Sequence, residues 1–101
     1  MTASEQGLVL CLLKESKIQL NINVKEVKVI DMEDGGMGSL YFVNDKPWQK
    51  RLFGKCISEK TFVDIDEMGI SITLNVDKDG DLFELDIWRY DYKPLKKYPQ
   101  C

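Results

Sequence analysis

The chain has 101 residues, 44% of them hydrophobic and 31% charged, with a net charge of −3 and no histidine. That length predicts one domain with a single modest core, spanning 1–101. The absence of imidazole excludes Ser–His and Cys–His hydrolases on composition alone.

The longest apolar run, Gly7-Leu-Val-Leu-Cys-Leu-Leu13, falls far short of the roughly 20 residues that cross a bilayer. It also lacks the basic lead and small-residue site of a secretion signal, so a cytoplasmic protein without membrane partners is expected. Cys11, Cys56 and Cys101 are widely spaced, with no CxxC. They predict two core-associated thiols and one free tail thiol, with a regulatory disulfide as the minor alternative. No ligand set for a structural zinc ion appears. Charge is uneven, because residues 61–91 hold two Lys/Arg against nine Asp/Glu, a local net of −7. Such a surface repels nucleic acid and attracts a basic protein.

In chain order, Thr2-Ala-Ser-Glu5 reads as a capping box, opening a helix whose apolar face is Leu8, Val9, Leu12 and Leu13. It ends near Glu15 or Ser16. Ile18, Leu20, Ile22 and Val24 then alternate with polar residues, predicting a strand. Val27 and Val29 resume on the other parity, so a turn or bulge is expected at Lys25–Glu26. Residues 26–32 and 38–43 predict a first hairpin. Its loop contains Gly35, Gly36, Gly38 and Ser39, which suits positive φ or close backbone passage. No Gly-Lys-Ser/Thr follows, so the loop fails as a Walker phosphate motif. A binding loop is the alternative use of these four residues. Asn44 or Asp45 is placed to cap a short helix through Arg51 or Phe53.

Asp79-Gly80 reads as a two-residue hairpin turn. Counting outward pairs Val76 with Phe83, Leu74 with Leu85, and Ile72 with Ile87. A second turn at Met68-Gly69 pairs Ile65 with Ile72 and Val63 with Leu74. One apolar sheet face results, for the helix to cover. The fold class is therefore α+β: an N-terminal helix on a mainly antiparallel sheet of about five strands, ending in a hairpin meander. A mobile C-terminal tail is expected from about residue 96.

The same count puts Asp64, Asp66, Glu84, Asp86 and Trp88 on the opposite face, and Tyr90 continues the parity of Trp88. These residues are the candidates for binding a basic protein: carboxylates steer encounter while an indole supplies buried contact. The bland alternative is an ordinary solvated face. Two carboxylates across one intervening strand lie roughly 9–10 Å apart, near the upper end of an inverting glycosidase pair. That chemistry also needs a concave site and a raised pKa. Asp77-Lys-Asp79-Gly80-Asp81 is not an EF-hand, because glycine falls fourth and Trp88 twelfth. No catalytic, cofactor-binding or metal residue is assigned.

The segments Asp34-Gly-Gly-Met-Gly-Ser-Leu40, Phe62-Val-Asp64, Leu82-Phe-Glu-Leu-Asp-Ile-Trp88 and Asp91-Tyr-Lys-Pro-Leu95 together resemble a family of small, functionally uncharacterised bacterial domains. The resemblance runs from the leading helix to Pro99 and implies no catalytic residues or ligand. A looser resemblance in size and charge is to bacterial toxin-immunity proteins, which implies a non-enzymatic interaction protein. A small-molecule-binding or hydrolytic domain, with a pocket near the Gly35–Ser39 loop, is the alternative.

Overall fold

The Thr2 hydroxyl accepts the Glu5 N–H, and the Glu5 carboxylate accepts the Thr2 N–H, so the capping box forms. It opens α1 (Ala3–Lys14), the one α-helix in a computed structural model that describes residues 1–101. Five strands follow: β1 (Lys28–Asp31), β2 (Leu40–Val43), β3 (Phe53–Val63), β4 (Gly69–Asp77) and β5 (Leu82–Arg89). They form one antiparallel sheet in the order β1-β2-β5-β4-β3. The α+β fold is the expected one.

Leu8, Val9 and Leu12 of α1 seal one face of this sheet, against Ile70, Ile72, Leu74, Leu85 and Ile87, all of them buried. No strand forms at residues 18–24. Ile18, Leu20 and Ile22 still pack on the core, and a single backbone bond, Lys17 N–H to Ile57 O, ties the segment to β3. Period-two apolar spacing is satisfied there by packing over an edge, without a ladder. The parity slip at Lys25–Glu26 is absorbed by a 3₁₀ turn at Val24–Glu26. The helix expected after Asn44 shrinks to a 3₁₀ turn at Trp48–Lys50 with no side-chain cap. The Asn44 carboxamide instead accepts the Lys46 N–H.

In the β4–β5 hairpin, Leu74 faces Leu85 and Ile72 faces Ile87, as the alternation predicts. Val76, however, faces Leu82 and not Phe83. The turn is wider than two residues because the Asp77 carboxylate gathers the N–H groups of Asp79 and Asp81, and a bulge beside Asn75–Val76 takes up the difference.

The β3–β4 register departs further. Lys60 faces Ile72 and Ser58 faces Leu74, so the expected partners Ile65 and Val63 are displaced. Val63 is 70% exposed and Ile65 67% exposed, both outside the core. Asp64 and not Met68-Gly69 organises this connection: its N–H bonds to Met68 O, and its carbonyl accepts the Glu67 N–H. Glu67 takes the positive φ of 68°. Gly69 is needed for a different reason, since a Cβ there would sit 2.5 Å from the Tyr90 ring.

The segment from about residue 96 is docked and not free. Lys96 and Lys97 donate backbone N–H groups to Asp64, the Tyr98 hydroxyl donates to Gly38 O, and Pro99 is buried. Cys101 also forms a disulfide with Cys11, their Cα atoms 6.1 Å apart, so that the expected free tail thiol is instead bonded to one of the thiols expected in the core. Cys56 alone stays free. No helix is long and apolar enough to cross a membrane.

Candidate functional site

With a single helix to cover it, the sheet leaves its second face open. Strand alternation and the observed registers send Tyr41, Glu84, Asn75 and Cys56 to that face as one row. Asp86, Thr73 and Glu59 form the next, then Trp88, Ser71 and Thr61. The β4–β5 half of the expected surface is therefore present. The β3 half is replaced, because Glu59 and Thr61 stand where Asp64 and Asp66 were expected.

Asp64 and Asp66 lie in the β3–β4 loop and serve Arg89. The Arg89 guanidinium, almost fully buried, donates to Asp64 at 2.7 Å, to Asp66 at 2.9 and 2.5 Å, and to Asp91 at 2.8 and 3.0 Å. Burial pushes the Asp64 carboxyl up, but N–H donors from Lys96, Ile65 and Lys97 together with Arg89 outweigh it, and its pKa ends below the ordinary value. The hydrogen bond from Arg89 lowers Asp66 to about 2. These two acids are ion-paired anchors for the C-terminal segment, not free members of a binding face.

A second buried arginine closes the other end of the sheet. Arg51 Nε donates to Asp77 at 2.9 Å, its NH1 and NH2 groups donate to Phe42 O and Leu82 O, and its guanidinium lies 4.9 Å from the Phe83 ring centroid. Neither arginine cluster emerges from residue type alone. One signal was available for Arg89: it follows Leu85 and Ile87 on the core parity, in a stretch otherwise almost devoid of cations.

Glu84 and Asp86 behave differently. Both are half-buried, and neither takes part in an ion pair. Desolvation raises the Glu84 pKa, the Asp86 charge raises it further, and Asn75 only partly opposes them. Desolvation likewise raises Asp86, with Asp34 adding to the effect, although Asn75 Nδ2 donates to its Oδ2 at 2.9 Å. Aromatic rings flank the pair. On one side Trp88 meets Tyr90 edge-on at 5.2 Å and Tyr92 at 5.8 Å. On the other, Trp48 stacks on Tyr41 at 5.1 Å with 18° between the planes. Trp88, Tyr90 and Trp48 are each a little under half exposed. Trp48 and Tyr41 are additions that the alternation count misses, since Trp48 arrives from a connection.

The glycine loop is packed against the C-terminal segment. Gly35, Gly36 and Gly38 all hold positive φ, and the Asp34 carboxylate accepts the Met37 and Ser39 N–H groups. Pro94 packs on Gly36, and Tyr98 and Leu95 on Gly38. The buried Ser39 hydroxyl bridges the Ile87 backbone at 3.1 and 2.8 Å. Five surface cavities are lined by residues other than 35–39, Glu84 and Asp86. No group of three His, Cys, Asp or Glu side chains is arranged to hold a metal ion.

A family model described as "Domain of unknown function (DUF6984)" matches residues 1–99. No curated protein and no solved structure matches the chain.

Proposed function

For a chain that belongs to this family of unknown function, we propose a non-enzymatic interaction domain that binds a basic protein through its open sheet face. The observation that carries the reading is the pair Glu84 and Asp86: two half-buried carboxylates without a cation, set between exposed aromatic rings. Removing a carboxylate from water is unfavourable unless an opposite charge or hydrogen-bond donors compensate. A lysine or arginine delivered by a partner supplies that compensation. Trp88 and Tyr90 add large, stiff contact area of the kind that dominates interface energetics. Steering by the acidic surface speeds encounter and makes the association rate fall with salt.

In its finer form the role is immunity-like, a stoichiometric block on a basic bacterial protein. Asp64 and Asp66 have no part in this contact, because Arg89 already holds them.

The test compares immobilised wild type with the Glu84→Lys/Asp86→Lys variant in bacterial lysate, at low and high salt. The expected result is a basic partner retained by the wild type, eluted by salt and absent from the variant. Retention of the same protein by the variant, with an unchanged far-UV circular-dichroism spectrum, overturns the reading.

A further inference from the structure

At the edge of the open face, Ile30, Tyr41, Val43, Pro47 and Trp48 enclose a largely apolar cavity of about 160 Å³. It is too small for the ~300–1,000 Å³ pockets that take drug-sized ligands, and it suits one side chain. The Trp48 indole, stacked on Tyr41, forms a wall that is itself 46% exposed. Arg51 also borders the cavity, but its guanidinium is spent on Asp77, Phe42 O and Leu82 O. Lys46 at the rim pairs with Asp79. An acidic occupant would compete with Asp79 for Lys46, whereas an aliphatic one would meet mainly apolar walls, with Asn44 and Gln49 at the rim.

Registers place this cavity next to the carboxylates. Ile30 faces Tyr41 across β1–β2, and Tyr41 faces Glu84 across β2–β5. One to two strand spacings separate the cavity from Glu84, roughly 5–10 Å. In an extended peptide, side chains two residues apart share one face at a separation of about 7 Å.

We infer that the Tyr41–Trp48 cavity seats an aliphatic side chain of the partner's extended segment, whose second neighbour, a lysine or arginine, meets Glu84. This rests on the reading of the open face given above, and adds to it a spacing rule: aliphatic, any residue, basic. Charge complementarity selects the occupant, since Glu84 and Asp86 are the neighbouring groups without an ion pair.

The chain's two tryptophans give two separate indole N–H signals in a ¹⁵N-correlation spectrum, Trp48 beside the cavity and Trp88 beyond the acids. The probes are three synthetic blocked peptides: Thr-Leu-Thr-Arg-Thr, Thr-Ala-Thr-Arg-Thr and Thr-Leu-Thr-Glu-Thr. The leucine–arginine peptide is expected to shift the Trp48 signal and to bind about tenfold tighter than the alanine form, the scale of discrimination for lost methylenes in a pocket. Trp48→Ala should remove that preference, and the glutamate peptide should not bind. Equal affinity for the leucine and alanine peptides, or an unmoved Trp48 signal with every peptide, overturns the cavity assignment. If arginine dependence and sensitivity to Glu84→Gln persist in those same titrations, the acidic face stands without the cavity.

Discussion

The carboxylates at the ends of the sheet and those at its middle are all withdrawn from water, yet they end in opposite states. Asp64 and Asp77, at the ends, are only 4% and 3% exposed. Each meets a buried arginine and backbone N–H donors, and each has a lowered pKa although burial itself acts upward. Glu84 and Asp86, at the middle of the open face, keep a raised pKa because only Asn75 offers a hydrogen bond. A buried acid with its arginine is architecture. A half-buried acid without one is the feature on which the proposed contact with a basic partner rests.

Breaking the arginine side of this contrast should give the largest effect. Arg51→Met leaves the Asp77 carboxylate buried and unpaired, and should cost about 3–5 kcal/mol in urea denaturation. Arg89→Met removes the cation shared by Asp64, Asp66 and Asp91. It should also loosen the C-terminal segment, read as new tryptic cleavage at Lys96 and Lys97. A loss below about 1 kcal/mol for Arg51→Met would mean that the end clusters are ordinary surface pairs.

The next largest effect belongs to the disulfide. Cys11 and Cys101 are 90 positions apart, and Cys101→Ser should lower stability by about 2–4 kcal/mol under non-reducing conditions. Mass spectrometry after thiol alkylation of the unreduced, denatured protein should show one modified cysteine, Cys56. Three modified cysteines would contradict the bond.

The smallest effect, opposite in sign, is expected at the middle of the sheet. Groups with raised folded-state pKa stabilise the fold fully below their unfolded pKa, and lose that contribution as pH rises through the folded pKa. Glu84→Gln with Asp86→Asn should therefore be neutral or stabilising at pH 7, by under about 1 kcal/mol given their partial exposure, and should flatten the pH dependence above pH 4. Asp66, lowered from 3.8 to about 2, behaves inversely, its contribution being lost as pH falls through that interval. Clear destabilisation of the double variant at pH 7 would show that the two charges are already compensated.

Local signals explain what was legible beforehand. The Thr2–Glu5 capping box, the glycines that need positive φ, and the Ile72–Ile87 and Leu74–Leu85 pairs depend on a few neighbouring residues or one short hairpin, whose extra turn residue is offset by the bulge at Asn75–Val76. Failures occur where a distant partner decides. Val63 and Ile65 look like core by alternation, but Asp64 between them is claimed by Arg89, so the chain leaves the ladder there. Asp64, Asp66, Glu84 and Asp86 are indistinguishable as sequence, and only the position of Arg89 sorts them. Trp48 joins the open face through a stack on Tyr41 that no periodicity encodes. The Cys11–Cys101 bond likewise needs the whole fold to bring its ends together.

The contrast between end and middle acids can be measured directly by ¹³C-detected titration of the side-chain carboxyls in the free protein. Glu84 and Asp86 should titrate above their ordinary values of 4.5 and 3.8 while Asp64 and Asp77 titrate below 3.8. Midpoints for Glu84 and Asp86 at or below those values would show that the open face already satisfies its own charges, and would contradict the account.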